Sequence, residues 1–333
     1  MHSTLRVALL CCLCLACEAG GSSEADWSPP PVPHPSYPYD GGPLILIDAG
    51  HFNTHTMERR YRALAAVARL DGYRVASSTL PFSRAALGRA DILVIGNALH
   101  ERNRVRALPG ATDWSLPTPS AFTPDEIAAV RDRVHEGGGL LLAADHMPFA
   151  GAASDLAAAF GVHFDNGFTI DEEVERAVGS PNAAVTHVTV FRRADGGLAR
   201  HPVTDGRSPD ERVDAVATFG GHAFRAEAGV APLLVLGPTA VSLFPQIAWK
   251  FPPDTPRRSA AGWLQGAALH FGAGRVAIFA EAGLFGAQTS GGGQPVGMNA
   301  PEAAQNPRFL LNLLHWLSGR LDSEAVARGE AAP

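Results

Sequence analysis

The chain has 333 residues, 27 basic and 33 acidic side chains for a net charge of −6, and 46% hydrophobic residues. That balance describes a soluble globular protein of one large or two small domains. The single lysine, Lys250, stands in AlaTrpLysPheProPro with no glycine-rich loop before it. This excludes a basic nucleic-acid stripe and a Walker-type phosphate loop.

All four cysteines, Cys11, Cys12, Cys14 and Cys17, fall in the first seventeen residues, so nothing downstream can form a disulfide, a thiolate metal site or a cysteine nucleophile. Residues 1–17 place Arg6 before an apolar core that runs from Val7 to Leu15, the shape of an export signal and too short to span a bilayer. Leu15–Ala16–Cys17 resembles the end of a bacterial lipoprotein signal, although Cys14 occupies a position where an aliphatic residue is usual. The expected location is the cell envelope, anchored by a lipid on Cys17, or else the periplasm or the exterior. Residues 18–42, rich in Gly, Ser and Pro, read as an extended tether or as an N-terminus with no role.

From residue 43 the pattern changes. ProLeuIleLeuIleAspAlaGlyHis (43–51) is a continuous apolar run ending in polar residues, as in a parallel strand buried on both faces. A helix is expected from about Met57 to Leu70, ending at Gly72. Strands follow at 73–76, 91–96 and 139–145. ThrProAspGlu (123–126) supplies an N-cap, a first-turn proline and early acidic residues for a helix to about His135. Further strands are expected at 184–191, 213–219, 233–236 and 275–280, with a closing amphipathic helix over 306–318. Residues 166–183, 192–212 and 250–262 read as insertions or long loops within 166–262, residues 321–333 as a disordered tail, and residues 288–299 as a flexible loop or lid. The alternation predicts one α/β domain over 43–320, an open, mostly parallel sheet with helices on both faces.

Ligands of such sheets bind at the carboxyl ends of the strands. Those ends deliver Asp48 to His51, Asn97 to His100, Asp145–His146 and Glu281 to one edge, which points to a polar ligand site there. Each has a plainer reading: Asp48, for example, can cap a helix or bond the following turn. His222 follows a diglycine that permits close approach to a ligand or simply turns the chain. Phe149, Phe168, Phe219, Phe285 and Trp263 can line a sugar cleft or belong to the core.

The order LILIDAGH, RYRALAAVARLDGYRV, ADILVIGNALH, AFTPDEIAAVRDRVHEGGGLLLAADH and DLAAAFGVHF, with GRVAIFAEAGLF and NPRFLLNLLHWLSG near the end, resembles the class I glutamine amidotransferase-like superfamily, and within it a branch of bacterial envelope proteins. The likeness covers residues 43–165 and 270–319 and implies a flavodoxin-like fold. The chain departs from that family's chemistry. Asp145 and His146 stand where the nucleophilic cysteine is placed, and Phe279–Ala280–Glu281–Ala282 keeps no histidine, so glutamine hydrolysis through a thioester is not expected.

Imidazoles and carboxylates without cysteine suit a divalent metal such as zinc, with Asp48, His51, Asp145 and His146 as ligands and Glu281 as a further ligand or base. His55, His100 and His222 are reserves. A metal-free reading makes Asp145, His146 and Glu281 a general acid–base set. Two functions remain open: a cell-envelope hydrolase acting on a small polar or carbohydrate-like molecule, and a non-catalytic ligand-binding or scaffold lipoprotein.

Overall fold

The computed structural model describes residues 23–108 and 110–321. The export signal, Cys17 and the tail beyond 321 lie outside the described residues. In chain order the main elements are β1 (Leu44–Asp48), α1 (Arg62–Leu70), β2 (Arg74–Ser78), β3 (Ile92–Gly96), α2 (Pro124–His135), β4 (Gly139–Ala143) and α3 (Phe149–Ala158). They continue with β5 (Val162–Phe164), β6 (Phe224–Ala226), β7 (Ala231–Val235), β8 (Leu264–Phe271), β9 (Gly274–Phe279) and α4 (Asn306–Leu317).

These strands form one sheet in the order β2-β1-β3-β4-β9-β8-β6-β5, with β7 also paired to β8. The pairs from β2 to β9 are parallel, and those beyond β9 are antiparallel. The parallel half is the part legible as apolar runs: every residue of β3 and β4 is buried, because helices cover both faces. Helices α1 and α4 pack on one face around Ile45, Ile47, Val94 and Leu141, while α2 and α3 pack on the other around Leu93, Ile95, Leu140 and Leu142. Helix α2 starts as its sequence dictates, with Thr123 and Glu126 closing a reciprocal capping box.

Four expectations change. Residues 184–187 are not strand: Pro181–Val185 is a helical turn and the strand is Thr189–Arg192, since the proline favours the first turn of a helix. The insertions are structured, and one of them covers the outer side of α4. Every residue of α4 except Arg308 is consequently buried, and Asn312 donates to the carbonyls of Val203 and Glu211. The proline-rich segment is packed, not extended into solvent, from Ser23 onward: Ser23–Glu24 pairs with Ala287–Thr289, and Trp27, Val32 and Tyr37 lie against the core. The loop expected at 288–299 is likewise a hairpin, its strands Ala287–Thr289 and Pro295–Gly297. Among the described residues no helix is long and apolar enough to cross a membrane.

Candidate functional site at the carboxyl edge of the sheet

Parallel strands β1, β3, β4 and β9 end side by side, and the first polar residues after them meet. Asp145, two residues beyond β4, is the centre. Asn97 donates from Nδ2 to Asp145 Oδ2 at 2.6 Å and accepts the Asp145 backbone N–H on Oδ1 at 2.7 Å. From the other side, the Ala282 N–H donates to Asp145 Oδ1 at 2.6 Å. Asn97 reaches this position from the left-handed region, at φ 49°. Phe52 (φ 48°) and Trp249 (φ 67°) also adopt left-handed backbone beside the site, and such conformations in non-glycine residues mark over-determined local structure.

Glu281 follows β9 and is almost completely buried. Its carboxyl accepts the backbone N–H groups of Gly283 and Leu284. Burial, and then the charge of Asp145, outweigh those donors and push its pKa up to about 8. A carboxyl that holds its proton at neutral pH beside a second carboxyl is the arrangement from which proton donors are built.

His146 is enclosed by rings. It stacks on Phe168 at 4.2 Å and meets Trp249 edge-on at 4.7 Å, with Phe149 at 5.9 Å. Its Nδ1 donates to the Met147 carbonyl at 2.7 Å, which leaves the proton-free Nε2 as an acceptor. Burial lowers its pKa, so the neutral form is favoured despite the neighbouring Asp145 charge. Phe149 and Phe168 enclose His146 as buried members of hydrophobic clusters, and Phe285 is core as well.

The reserve histidines divide. His55 accepts from Asn97 Nδ2 at 3.1 Å and lies beside Asp145, and burial drops its pKa to about 3. His222 is fully buried against the backbone of Asp145 and Ala280; neither ring nitrogen makes a hydrogen bond of normal geometry, and burial takes its pKa to about 3. The diglycine before it serves close approach: Gly221 sits at φ 97°, and a Cβ there would lie 2.3 Å from the Ala280 carbonyl oxygen. His100, by contrast, caps the turn at Glu101–Asn103 by accepting the Arg102 N–H.

Asp48 and His51 form a different unit. His51 Nδ1 lies 2.9 Å from Asp48 Oδ2, and Nε2 lies 2.9 Å from Glu126 Oε1. Asp48 also accepts from Gly50 N–H and Asn53 Nδ2. Burial pulls the His51 pKa down, but the hydrogen bonds and charges of Asp48 and Glu126 more than reverse this, so the pKa is raised and both nitrogens act as donors. With its nitrogens committed, His51 ties the end of β1 to the start of α2. The four residues expected as metal ligands therefore do not assemble into one set. Among the described residues no three His, Cys, Asp or Glu side chains converge as a metal site.

Three contributors were not singled out as site residues in the sequence. Glu126 was hidden because its spacing signals a helix start. Arg60 and Tyr61, in the turn before α1, join Asn97, expected at this edge, around Asp145. Tyr61 OH is buried without a partner, and burial together with Asp145 and Glu281 raises its pKa well above normal. Burial lowers the pKa of the Arg60 guanidinium, and the charge of Asp145 offsets part of this. Gly96 makes room for this group, since a Cβ there would come within 2.4 Å of the Tyr61 ring.

No protein-family model and no curated protein sequence matches the chain. Among solved structures, the N-terminal domain of mmIFT52 is similar over 82% of this chain and 97% of that one, at 13% identity and a TM-score of 0.53. A ThuA-like protein from Bacteroides uniformis ATCC 8492 aligns over 87% of this chain and 95% of its own, at 12% identity and a TM-score of 0.44. Cytoplasmic protein STM3548 from Salmonella typhimurium aligns over 83% and 99%, at 13% identity and a TM-score of 0.45. At such identities only architecture is shared, and it agrees with the topology above: a flavodoxin-like α/β fold whose sheet has a parallel half covered by helices on both faces.

Proposed function

We propose that this chain is an exported cell-envelope protein of amidotransferase-like fold that binds a small polar, carbohydrate-like ligand at the carboxyl edge of its sheet. Asp145, His146 and Glu281 are the groups that contact the ligand and exchange protons with it. One observation carries the reading: where four strands end, burial and then the charge of Asp145 push the Glu281 pKa up to about 8. Beside this pair the neutral His146 presents an acceptor, and the partly exposed Trp249 ring edge-on to it is suited to stacking on a sugar face. A protonated carboxyl as donor and a neutral imidazole as acceptor are the requirements of metal-free hydrolysis by general acid–base catalysis.

A second reading is favoured by the way Asp145 and Glu281 are held. Their oxygens are engaged by backbone and amide donors, which also suits a rigid receptor that binds without turnover. The experiment screens neutral sugars and small polar molecules against the full chain by thermal shift, followed by product analysis for each hit. Stabilisation that disappears in Asp145→Asn while circular dichroism is retained supports the site. A hit that stabilises both proteins equally overturns it. Turnover that falls in Glu281→Gln and His146→Asn identifies a hydrolase, and binding without turnover identifies a receptor. The anchor is tested separately, by the mass of the N-terminal peptide, which carries lipid on Cys17 if the reading holds.

A further inference from the structure

The loops beyond β1, β2 and β3 expose large apolar side chains at the same edge as Asp145. Leu108 is 73% exposed and Leu80 60%, and Phe52 and Val105 are exposed as well. The loops that carry them adjoin: Thr79, before Leu80, packs against Gly50 in the β1 turn, and Arg104, before Val105, lies over the Phe52 ring at 5.4 Å. Basic residues alternate with them in Arg102–Asn103–Arg104–Val105–Arg106–Ala107–Leu108. Arg102 is offset by Asp113, but Arg104 and Arg106 form no ion pair among the described residues. In a chain of net charge −6, this is a local reversal of sign on an apolar surface.

We infer that this rim docks onto an anionic lipid surface, so that the candidate site faces the membrane. Interleaved basic and apolar side chains fit that partner, since the headgroups attract the guanidiniums while Leu and Phe enter the acyl boundary. The entry point of the chain agrees. Ser23–Glu24 pairs with the hairpin strand that carries Gln288, whose side chain reaches His55, three residues from Phe52. Only five residues lie between Cys17 and Ser23, a reach of at most ~22 Å. A lipid on Cys17 would therefore lie within that reach of the strand pair beside this edge. The choice of a membrane as partner rests on the envelope reading; the rim itself does not.

The test uses the full chain with Cys17→Ser, which cannot be lipidated, sedimented with vesicles of phosphatidylglycerol or of phosphatidylcholine. Partitioning onto phosphatidylglycerol alone is expected, with a loss of about fivefold in Arg106→Ala, the effect of one basic residue at such a surface. Leu108→Asp weakens it further, and both variants keep the parent melting temperature because the side chains are exposed. No partitioning onto phosphatidylglycerol, or partitioning unchanged in both variants, overturns the inference. The two readings fail separately: a lipidated N-terminal peptide without vesicle binding removes only the rim, and vesicle binding without that lipid removes only the anchor.

Discussion

The Ala282 backbone N–H donates to Asp145 Oδ1 at 2.6 Å and so joins the turn after β9 to the turn after β4. Asn97 holds the other carboxylate oxygen, so both sides of Asp145 face donors. Asp145→Asn must turn its own NH2 toward one of them. The expected cost is ~2 kcal/mol, the range for a buried polar contact converted into a donor–donor clash. Removing the charge also lets the Glu281 pKa fall below its present value of about 8. Chemical denaturation and carbon-13 titration of the Glu281 carboxyl measure the two effects independently.

Glu281 makes stability depend on pH in a defined sense. Its folded pKa of about 8 lies above the ordinary value of 4.5, so between these the native state holds a proton that the unfolded state has released. The contribution is complete below pH 4.5 and is lost as pH rises toward 8. The buried neutral histidines act in the opposite direction. His55 and His222, with pKa values of about 3, cost stability as pH falls from 6.5 toward 3. Denaturation midpoints of Glu281→Gln should decline less than the parent between pH 5 and 8, and those of His222→Met less than the parent between pH 6.5 and 3. Parallel curves for parent and variant would contradict the assignment.

The parallel half of the fold was legible because β1, β3, β4 and β9 are buried on both faces and therefore appear as unbroken apolar runs. The antiparallel half was not: β5 and β6 are three residues each, and β8 mixes Gln265 and Gly266 into its apolar positions. For the site, the sequence placed Asp145, His146 and Glu281 at one edge because each follows a strand. It could not separate Asp48 and His51 from that group, because strand ends say where a residue lies and not which partner claims it. Glu126, far along the chain in a helix cap, decides that question. The packed N-terminal segment was equally hidden, since its composition suits a free linker and its docking depends on single residues such as Ser36.

The Asp48–His51–Glu126 unit predicts a different response from that of the ligand site. His51→Ala strips a protonated ring from between two carboxylates, leaving the fully buried Asp48 without its main partner. A loss of ~3 kcal/mol is expected, as for removal of one member of a buried ion pair. Because the His51 pKa is raised, its contribution is fully present below pH 6.5 and fades as pH climbs through the folded value. The penalty measured by urea unfolding should thus be larger at pH 6 than at pH 9. A ligand that binds at Asp145 should still stabilise this variant, which distinguishes a structural lock from a ligand contact.

The N-terminal segment gives the last prediction. The Ser36 backbone N–H donates to Asp71 Oδ1 at 2.8 Å, while His315 Nε2 lies 2.7 Å from Asp71 Oδ2 and 2.8 Å from Ser36 Oγ. Asp71 and His315 are both fully buried, and the partly buried Ser36 covers this polar pair. Arg207, paired with Glu211, donates to the same Ser36 Oγ at 2.9 Å. Deleting residues 23–42 opens this cluster and exposes the surfaces beneath Trp27, Val32 and Tyr37. Partial burial of three such side chains is worth ~3 kcal/mol. A chain beginning at Pro43 should therefore unfold at lower urea, with amide exchange accelerated at Asp71 and at the end of α4. Ser36→Ala should reproduce a smaller part of the effect, ~1 kcal/mol, because the backbone bond to Asp71 survives. A truncated chain as stable as the parent would mean that the segment merely lies on the domain, as a free tether would.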